Sequence, residues 1–110
     1  MIYSQSDIIK ALKKSGIIKG DTVFFTTGLG FLGKPNINKI YSINDICLYV
    51  FKAIKKVLGK NGTILIPTYS YTFGKIYSKK LPLFDQSKTS SKIGPFPNFF
   101  RKQFGVIRSI

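Results

Sequence analysis

The 110-residue chain contains no histidine and no tryptophan, a single cysteine, and only four acidic residues. Each shortage removes a class of chemistry. Without histidine there is no imidazole to act as a general base near neutral pH, and ordinary metal sites lose their commonest ligand. Cys47 alone closes no internal disulfide and builds no structural zinc site, and no evident partner activates it as a nucleophile. No metal is therefore expected, and no catalytic residue is assigned within these positions. No apolar run approaches the ~18 residues of a membrane span. The opening MIYSQSD lacks the basic-then-apolar pattern of a secretion signal. The expectation is a cytoplasmic protein with no membrane partner.

What is plentiful is lysine. Eighteen basic residues against four acids give a formal net charge of +14, and only Arg101 and Arg108 are arginines. Such a surface attracts anions: nucleic acid, acidic membranes or phosphate-bearing cofactors. Base-edge and bidentate phosphate readers favour arginine, so no specific nucleic-acid partner is expected. A small basic nucleic-acid-binding module stands as the alternative. With 44% hydrophobic and 15% aromatic residues the chain supports one modest core, not a disordered segment or two domains.

Along the chain, residues 4–15 read as a helix. Ser4 and Asp7 have capping-box spacing, Ile8, Ile9 and Leu12 recur at helical intervals, and Gly16 ends it. Thr22 to Thr27 reads as a strand whose apolar centre, Val23 to Phe25, suits a parallel strand covered on both faces. A glycine-rich loop covers 28–42. Ser42 and Asp45 repeat the capping spacing, and Ile46, Val50, Ala53, Ile54, Val57 and Leu58 form the stripe of a second helix, stopped by Gly59. Thr63 to Ile66 is a second core strand ended by Pro67. Strand, helix, strand is a βαβ unit with parallel strands. Residues 75–94 read as a polar loop with Pro82, Leu83 and Phe84 as an anchor. Asn98 to Gln103 reads as a short helix led in by Pro95 and Pro97, and Val106 to Ile110 as the start of another strand.

Ligands of open parallel sheets gather outside the carboxyl ends of the strands. Two loops leave those ends here: Thr26-Thr27-Gly28, and Pro67-Thr68-Tyr69-Ser70-Tyr71-Thr72. The threonines are ordinary strand formers as well as hydroxyl donors, and the second loop equally fits a half-buried strand turning Tyr69, Tyr71 and Phe73 to the core. Gly28 to Gly33 matches G-x-G-x-x-G, yet Lys34-Pro35-Asn36 interrupts where a dinucleotide fold opens a helix, so the loop reads as a close backbone approach or a structural turn. Ser90 to Gly94 suits a phosphate held by hydroxyls, amides and Lys92, or a capped turn. Asp85 fits a loop cap or a site residue.

In order, these pieces resemble the aminoglycoside 3-N-acetyltransferases, which acetylate amines with acetyl-CoA on a fold of their own. GIIKGDTVFF (Gly16–Phe25) is similar to the first strand and the elbow before it, GKNGTILIPTYSYTF (Gly59–Phe73) to the second strand and loop. FDQSKTSSKIGPFPNFFRK (Phe84–Lys102) resembles a loop entering a short helix, and GVIRSI (Gly105–Ile110) the strand ahead of a histidine-bearing stretch. The resemblance covers the family's amino-terminal portion. It implies an α/β fold, a parallel βαβ core of a larger antibiotic-acetyltransferase-like fold, truncated, with residues 1–110 as the amino-terminal part of a single acetyltransferase domain. The histidine stretch and its supporting carboxylate would lie beyond Ile110, so the chain alone is expected to be inactive, or completed by a carboxy-terminal half on a second chain.

Members carry a His-Ser-Ser-Leu-like segment after the first strand. Here Thr26 stands for the histidine, Thr27 keeps a hydroxyl, Gly28 replaces a serine and Leu29 remains. The resemblance implies that Thr26, Thr27, Gly28 and Leu29, with Thr68 and Tyr69, line the acetyl-CoA arm, and that Ser91, Lys92 and Gly94 help place its phosphates. The acceptor it implies is a small-molecule amine, an aminoglycoside or amino sugar. Excess lysine favours anionic CoA and repels a polycation, so acids for an aminoglycoside would come from elsewhere.

Overall fold

The computed structural model describes residues 1–71 and 84–109. Thr72, Phe73, the loop anchors Pro82 and Leu83, and Ile110 lie outside the described residues. The elements are β1 (Ile2–Tyr3), α1 (Gln5–Lys14), β2 (Thr22–Phe24), a single 3-10 turn (Leu29–Phe31), β3 (Lys34–Pro35), α2 (Ile43–Leu58), β4 (Thr63–Leu65) and α3 (Pro95–Arg101).

Both long helices begin as the spacing anticipates. Before α1, the Asp7 amide donates to Ser4 Oγ at 3.1 Å and the Ser4 amide to Asp7 Oδ2 at 2.8 Å, a complete capping box. At α2 the firmer arm is the Asp45 carboxylate, which accepts from the amides of Ser42 at 2.8 Å and Tyr41 at 2.7 Å. Gly16, at φ +95°, takes the left-handed turn after α1 that a Cβ would resist.

The α2 stripe is the core. Val50, Ala53, Ile54, Val57 and Leu58 are buried as the stripe expects, but Cys47 joins them and Ile46 is only partly buried at the edge of the cluster. Phe96 and Phe100 of α3 close over it, Phe96 only 1% exposed, and Phe51 meets Phe99 and Phe100 edge-on at 5.9 and 5.8 Å. Each fully buried aliphatic or aromatic side chain here contributes about 1.5–3 kcal/mol over its exposed form. Cys47 thus serves as a small apolar packing residue, and burial pushes its thiol pKa up, against reactivity.

β2 and β4 pair in parallel, Thr22 with Thr63, Val23 with Ile64 and Phe24 with Leu65. The βαβ expectation holds, with shorter strands: the Phe25 amide still donates to Leu65 O at 2.9 Å, after which the chains separate. Alternation then decides the faces. Val23 and Ile64 pack toward the buried cluster, whereas Phe24 (61% exposed) and Leu65 (48%) point away from it. The expected cover on both sheet faces is therefore a correction: among the described residues the helices cover one.

Three further readings change. The glycine-rich loop contains β3, which pairs in parallel with β1 through Ile2–Lys34 and Tyr3–Pro35. Gly33, at φ +89°, passes so near Met1 that an added Cβ would fall 2.4 Å from Met1 O. The last helix starts at Pro95, not Asn98, because a proline at the first helical position has the right φ and lacks only an amide that would go unpaired there. Residues 106–109 run on without joining a sheet among the described residues.

Candidate functional site

The carboxyl edge of β4 opens onto a cavity of about 890 Å³. The outward side chains of the sheet, Phe24 and Leu65, form part of its apolar wall, and the chain from Pro67 to Tyr71 crosses one side. The opposite wall is Phe84, the end of α3, and residues 106–109. The site thus lies where an open parallel sheet places ligands.

Arg108 organises this region. Its Nε donates to Thr68 Oγ1 at 3.0 Å and its Nη2 to Thr68 O at 2.7 Å. Nη1 donates to Thr89 O and, at 3.5 Å, to Gln86 O, while the Arg108 carbonyl accepts from Gln86 Nε2. The guanidinium lies over the Phe84 ring, 4.9 Å from its centroid. One side chain therefore ties the segment after α3 to both the Thr68 loop and the 84–89 turn. Burial, then the like charge of Arg101, lowers its pKa.

Asp85 is the loop cap. Its Oδ1 accepts from the Ser87 hydroxyl at 2.6 Å and from the amides of Ser87 and Lys88 at 2.9 and 3.0 Å. Those bonds, the Ser87 hydroxyl first, hold its pKa below the usual carboxylate value. Ser91 is 4% exposed. Its amide and carbonyl pair with the Asn98 side chain at 2.7 and 2.8 Å, and its hydroxyl donates to Tyr69 O at 3.4 Å. The Lys92 amide donates to the same Tyr69 carbonyl at 2.8 Å.

Thr68 and Tyr69 line the cavity, and Ser91 and Lys92 are drawn to them through the Tyr69 carbonyl. The Lys92 side chain is exposed, and Gly94, at φ +117°, precedes α3. The Tyr69 and Tyr71 side chains are exposed, 59% and 63%, so over the described residues of this loop, up to Tyr71, no half-buried strand forms. Tyr71 is in the left-handed region at φ +57°, costly for a bulky side chain and common at ligand loops. Thr26, Thr27, Gly28 and Leu29 leave β2 on the same sheet edge but do not line this cavity. Thr26 is exposed, Gly28 opens the 3-10 turn, and the Leu29 side chain belongs to the core at 7% exposure. Thr27 Oγ1 is buried with no partner among the described residues, a donor and acceptor left spare at the end of a parallel strand. Sequence reasoning did not pick out Arg108. Its one signal was rarity, two arginines among eighteen basic residues, both near the carboxyl end.

A profile of the family described as aminoglycoside 3-N-acetyltransferase matches residues 37–110, well over half of the chain. The chain belongs to this family. A solved structure described as "AAC-IIIb binary with CoASH" aligns with 99% of the chain at a TM-score of 0.73 and 18% sequence identity. At that identity the likeness establishes the α/β acetyltransferase-like fold. The chain spans 42% of the length of that relative. Among curated proteins none matches the chain.

Among the described residues no group of three or more His, Cys, Asp or Glu side chains is placed to hold a metal ion. In the same residues no helix is long and apolar enough to cross a membrane.

Proposed function

We propose that these 110 residues form the acetyl-CoA-binding, amino-terminal part of a single N-acetyltransferase domain acting in the cytoplasm. The enzyme would move acetyl from acetyl-CoA to a primary amine, the 3-N position of an aminoglycoside or the amine of a related amino sugar. The observation that carries this reading is the family match over residues 37–110. A cavity at the carboxyl edge of a parallel sheet, and a spare buried hydroxyl at the end of the neighbouring strand, fit the same reading.

Acetyl-CoA, when bound, supplies the acyl group as a thioester. The chain's own residues bind and orient. Thr27 Oγ1 and the amides from Thr27 to Leu29 are hydrogen-bonding groups suited to the amide-bearing arm of the cofactor. The Thr68–Tyr71 loop lines the cavity beyond the neighbouring strand, and the exposed Lys92 is available to a phosphate. Ser91 would act indirectly, because its hydroxyl is already committed to Tyr69 O. Taking the proton from the amine requires a base, and none of these residues is a histidine. In this reading the base and the acids that hold a cationic amine come from residues outside these 110.

Calorimetric titration of the chain with acetyl-CoA tests the reading. Saturable binding that survives 0.3 M salt and is weakened by Thr27→Val supports it. Binding that disappears with rising salt and is matched by single-stranded RNA of equal charge would replace it with the nucleic-acid alternative that a +14 chain allows.

A further inference from the structure

Two guanidinium groups meet at one wall of the cavity. Arg101, the last residue of α3, and Arg108 both line it. They are anchored to consecutive carbonyls: Arg101 Nη1 donates to Ser87 O at 3.0 Å and Arg108 Nη1 to Gln86 O at 3.5 Å. Arg101 Nε also donates to Asn98 Oδ1 at 3.1 Å. The groups around them are neutral acceptors: Thr68, Thr89, Gln86, Ser87 and Asn98. The one acid between Phe84 and Ser109 is Asp85, whose Oδ1 is spent on Ser87 and Lys88.

The donor inventory is unequal. A guanidinium has five N–H groups. Arg108 commits four of its own to Thr68, Gln86 and Thr89, whereas Arg101 commits two, to Asn98 and Ser87, among the described residues. Two positive charges are thus held side by side on an apolar cavity. One is fixed as a clamp, and the other keeps N–H groups directed to no acceptor among the described residues. Placing like charges together is unfavourable unless something of opposite sign is brought between them. An oxyanion bound by a forked, charge-assisted contact meets that requirement.

We propose that the Arg101–Arg108 pair forms a binding site for a phosphate or phosphoester group at the cavity wall, with Arg101 as the contacting residue and Arg108 as the residue that positions it. The lowered pKa of Arg108, caused by burial and by Arg101, agrees with a pair short of negative charge. The site lies on the wall of the cavity that the acetyl-CoA reading also uses, but neither residue is assigned a role in that reading and any phosphorylated ligand satisfies it.

The test is a titration of the full chain with inorganic phosphate at constant ionic strength, with chloride exchanged for phosphate. Arg101→Gln should weaken binding at least tenfold, while Lys13→Gln, an equal loss of charge on α1, should change it less than twofold. Arg101→Lys keeps the charge and loses the fork; it should fall between them, and it carries the same comparison should Arg101→Gln not fold. Equal weakening by Arg101→Gln (or Arg101→Lys) and Lys13→Gln would mean diffuse attraction to a cationic surface and would overturn the site. So would the absence of saturable binding. Where phosphate binds, competition with coenzyme A separates the sources. Displacement assigns the anion to that cofactor, and persistence assigns it to a different phosphorylated ligand; the site holds in either case. Failure of coenzyme A to bind anywhere would count against the acetyl-CoA reading alone.

Discussion

Two glycines of this chain look equally crowded, and the structure says that only one of them is. Gly62 sits between α2 and β4, where an added Cβ would fall 2.5 Å from Leu58 Cβ and 2.8 Å from Leu58 O. Neither neighbour can retreat cheaply. Leu58 is 2% exposed in the last turn of α2, and its carbonyl accepts from the Gly20 amide at 2.9 Å, a bond that ties α2 to the start of β2. Gly28 has a similar geometric conflict, 2.9 Å to Phe31 Cδ2. That ring is 96% exposed and swings aside freely, and Gly28 has φ −113°, open to any residue. Overpacking a fixed site costs roughly 1–3 kcal/mol. For Gly62→Ala about 2 kcal/mol is expected, and at ~4–8 °C per kcal/mol for a domain of this size the melting midpoint falls by about 8–16 °C. Gly28→Ala should stay within ~0.5 kcal/mol, as surface changes do. Thermal unfolding followed by far-UV circular dichroism reads both. A Gly62→Ala midpoint within two or three degrees of the parent (roughly half a kcal/mol on that scale), or equal losses for both variants, would refute the argument that neighbour mobility sets the cost.

The buried hydroxyls of Tyr3 and Thr27 have no partner among the described residues, so Tyr3→Phe should raise stability by about 1 kcal/mol by removing an unsatisfied group; urea unfolding checks it. Thr27→Val should be neutral or stabilising by the same measurement while weakening acetyl-CoA, and a loss of both would show that the threonine serves the fold alone. Cys47, 0% exposed with its thiol pKa pushed up by burial, should resist a disulfide reagent at pH 8 in the folded protein and react at once in urea. Asp7 has its pKa lowered, first by the Ser4 amide and then by the Ser4 hydroxyl. Its contribution is therefore present above the ordinary value of 3.8 and lost as pH falls through the lower folded value. Carboxyl-carbon NMR should place its midpoint below 3.8, and Ser4→Ala should move that midpoint up.

The parts of the fold that could be read in advance are those where one local rule acts alone. The capping pairs Ser4–Asp7 and Ser42–Asp45 and five of the six residues of the α2 stripe follow from a spacing of three or four residues, and the left-handed Gly16 from glycine's lack of a Cβ. β1 and β3 escaped because each is two residues long and exists only through the other, with Gly33 passing under Met1; no periodicity can show in so short a run. The early start of α3 was hidden because proline, a usual helix breaker, is harmless at the first position. Phe24 and Leu65 misled in a different way. They have the composition of a doubly covered strand, but the described helices lie on the Val23–Ile64 side only.

The same division runs through the site. Thr68 and Tyr69 were legible because topology puts ligand loops at strand ends, and they do line the cavity. Arg108 was not, because its importance is a matter of four bonds to residues far away in sequence, Thr68 forty positions before it and the 86–89 turn some twenty before. A charge of +14 dilutes any single cation in sequence, yet the described lysines are exposed to solvent while the two arginines share one wall. Electrostatic attraction to an anion therefore has two components here: a diffuse one, screened within about 8–10 Å by physiological salt, and a fixed one at the cavity, partly shielded from it. Rising salt should strip away the first and leave the second, so the inorganic-phosphate affinity that remains at high ionic strength should be the part lost in Arg101→Gln.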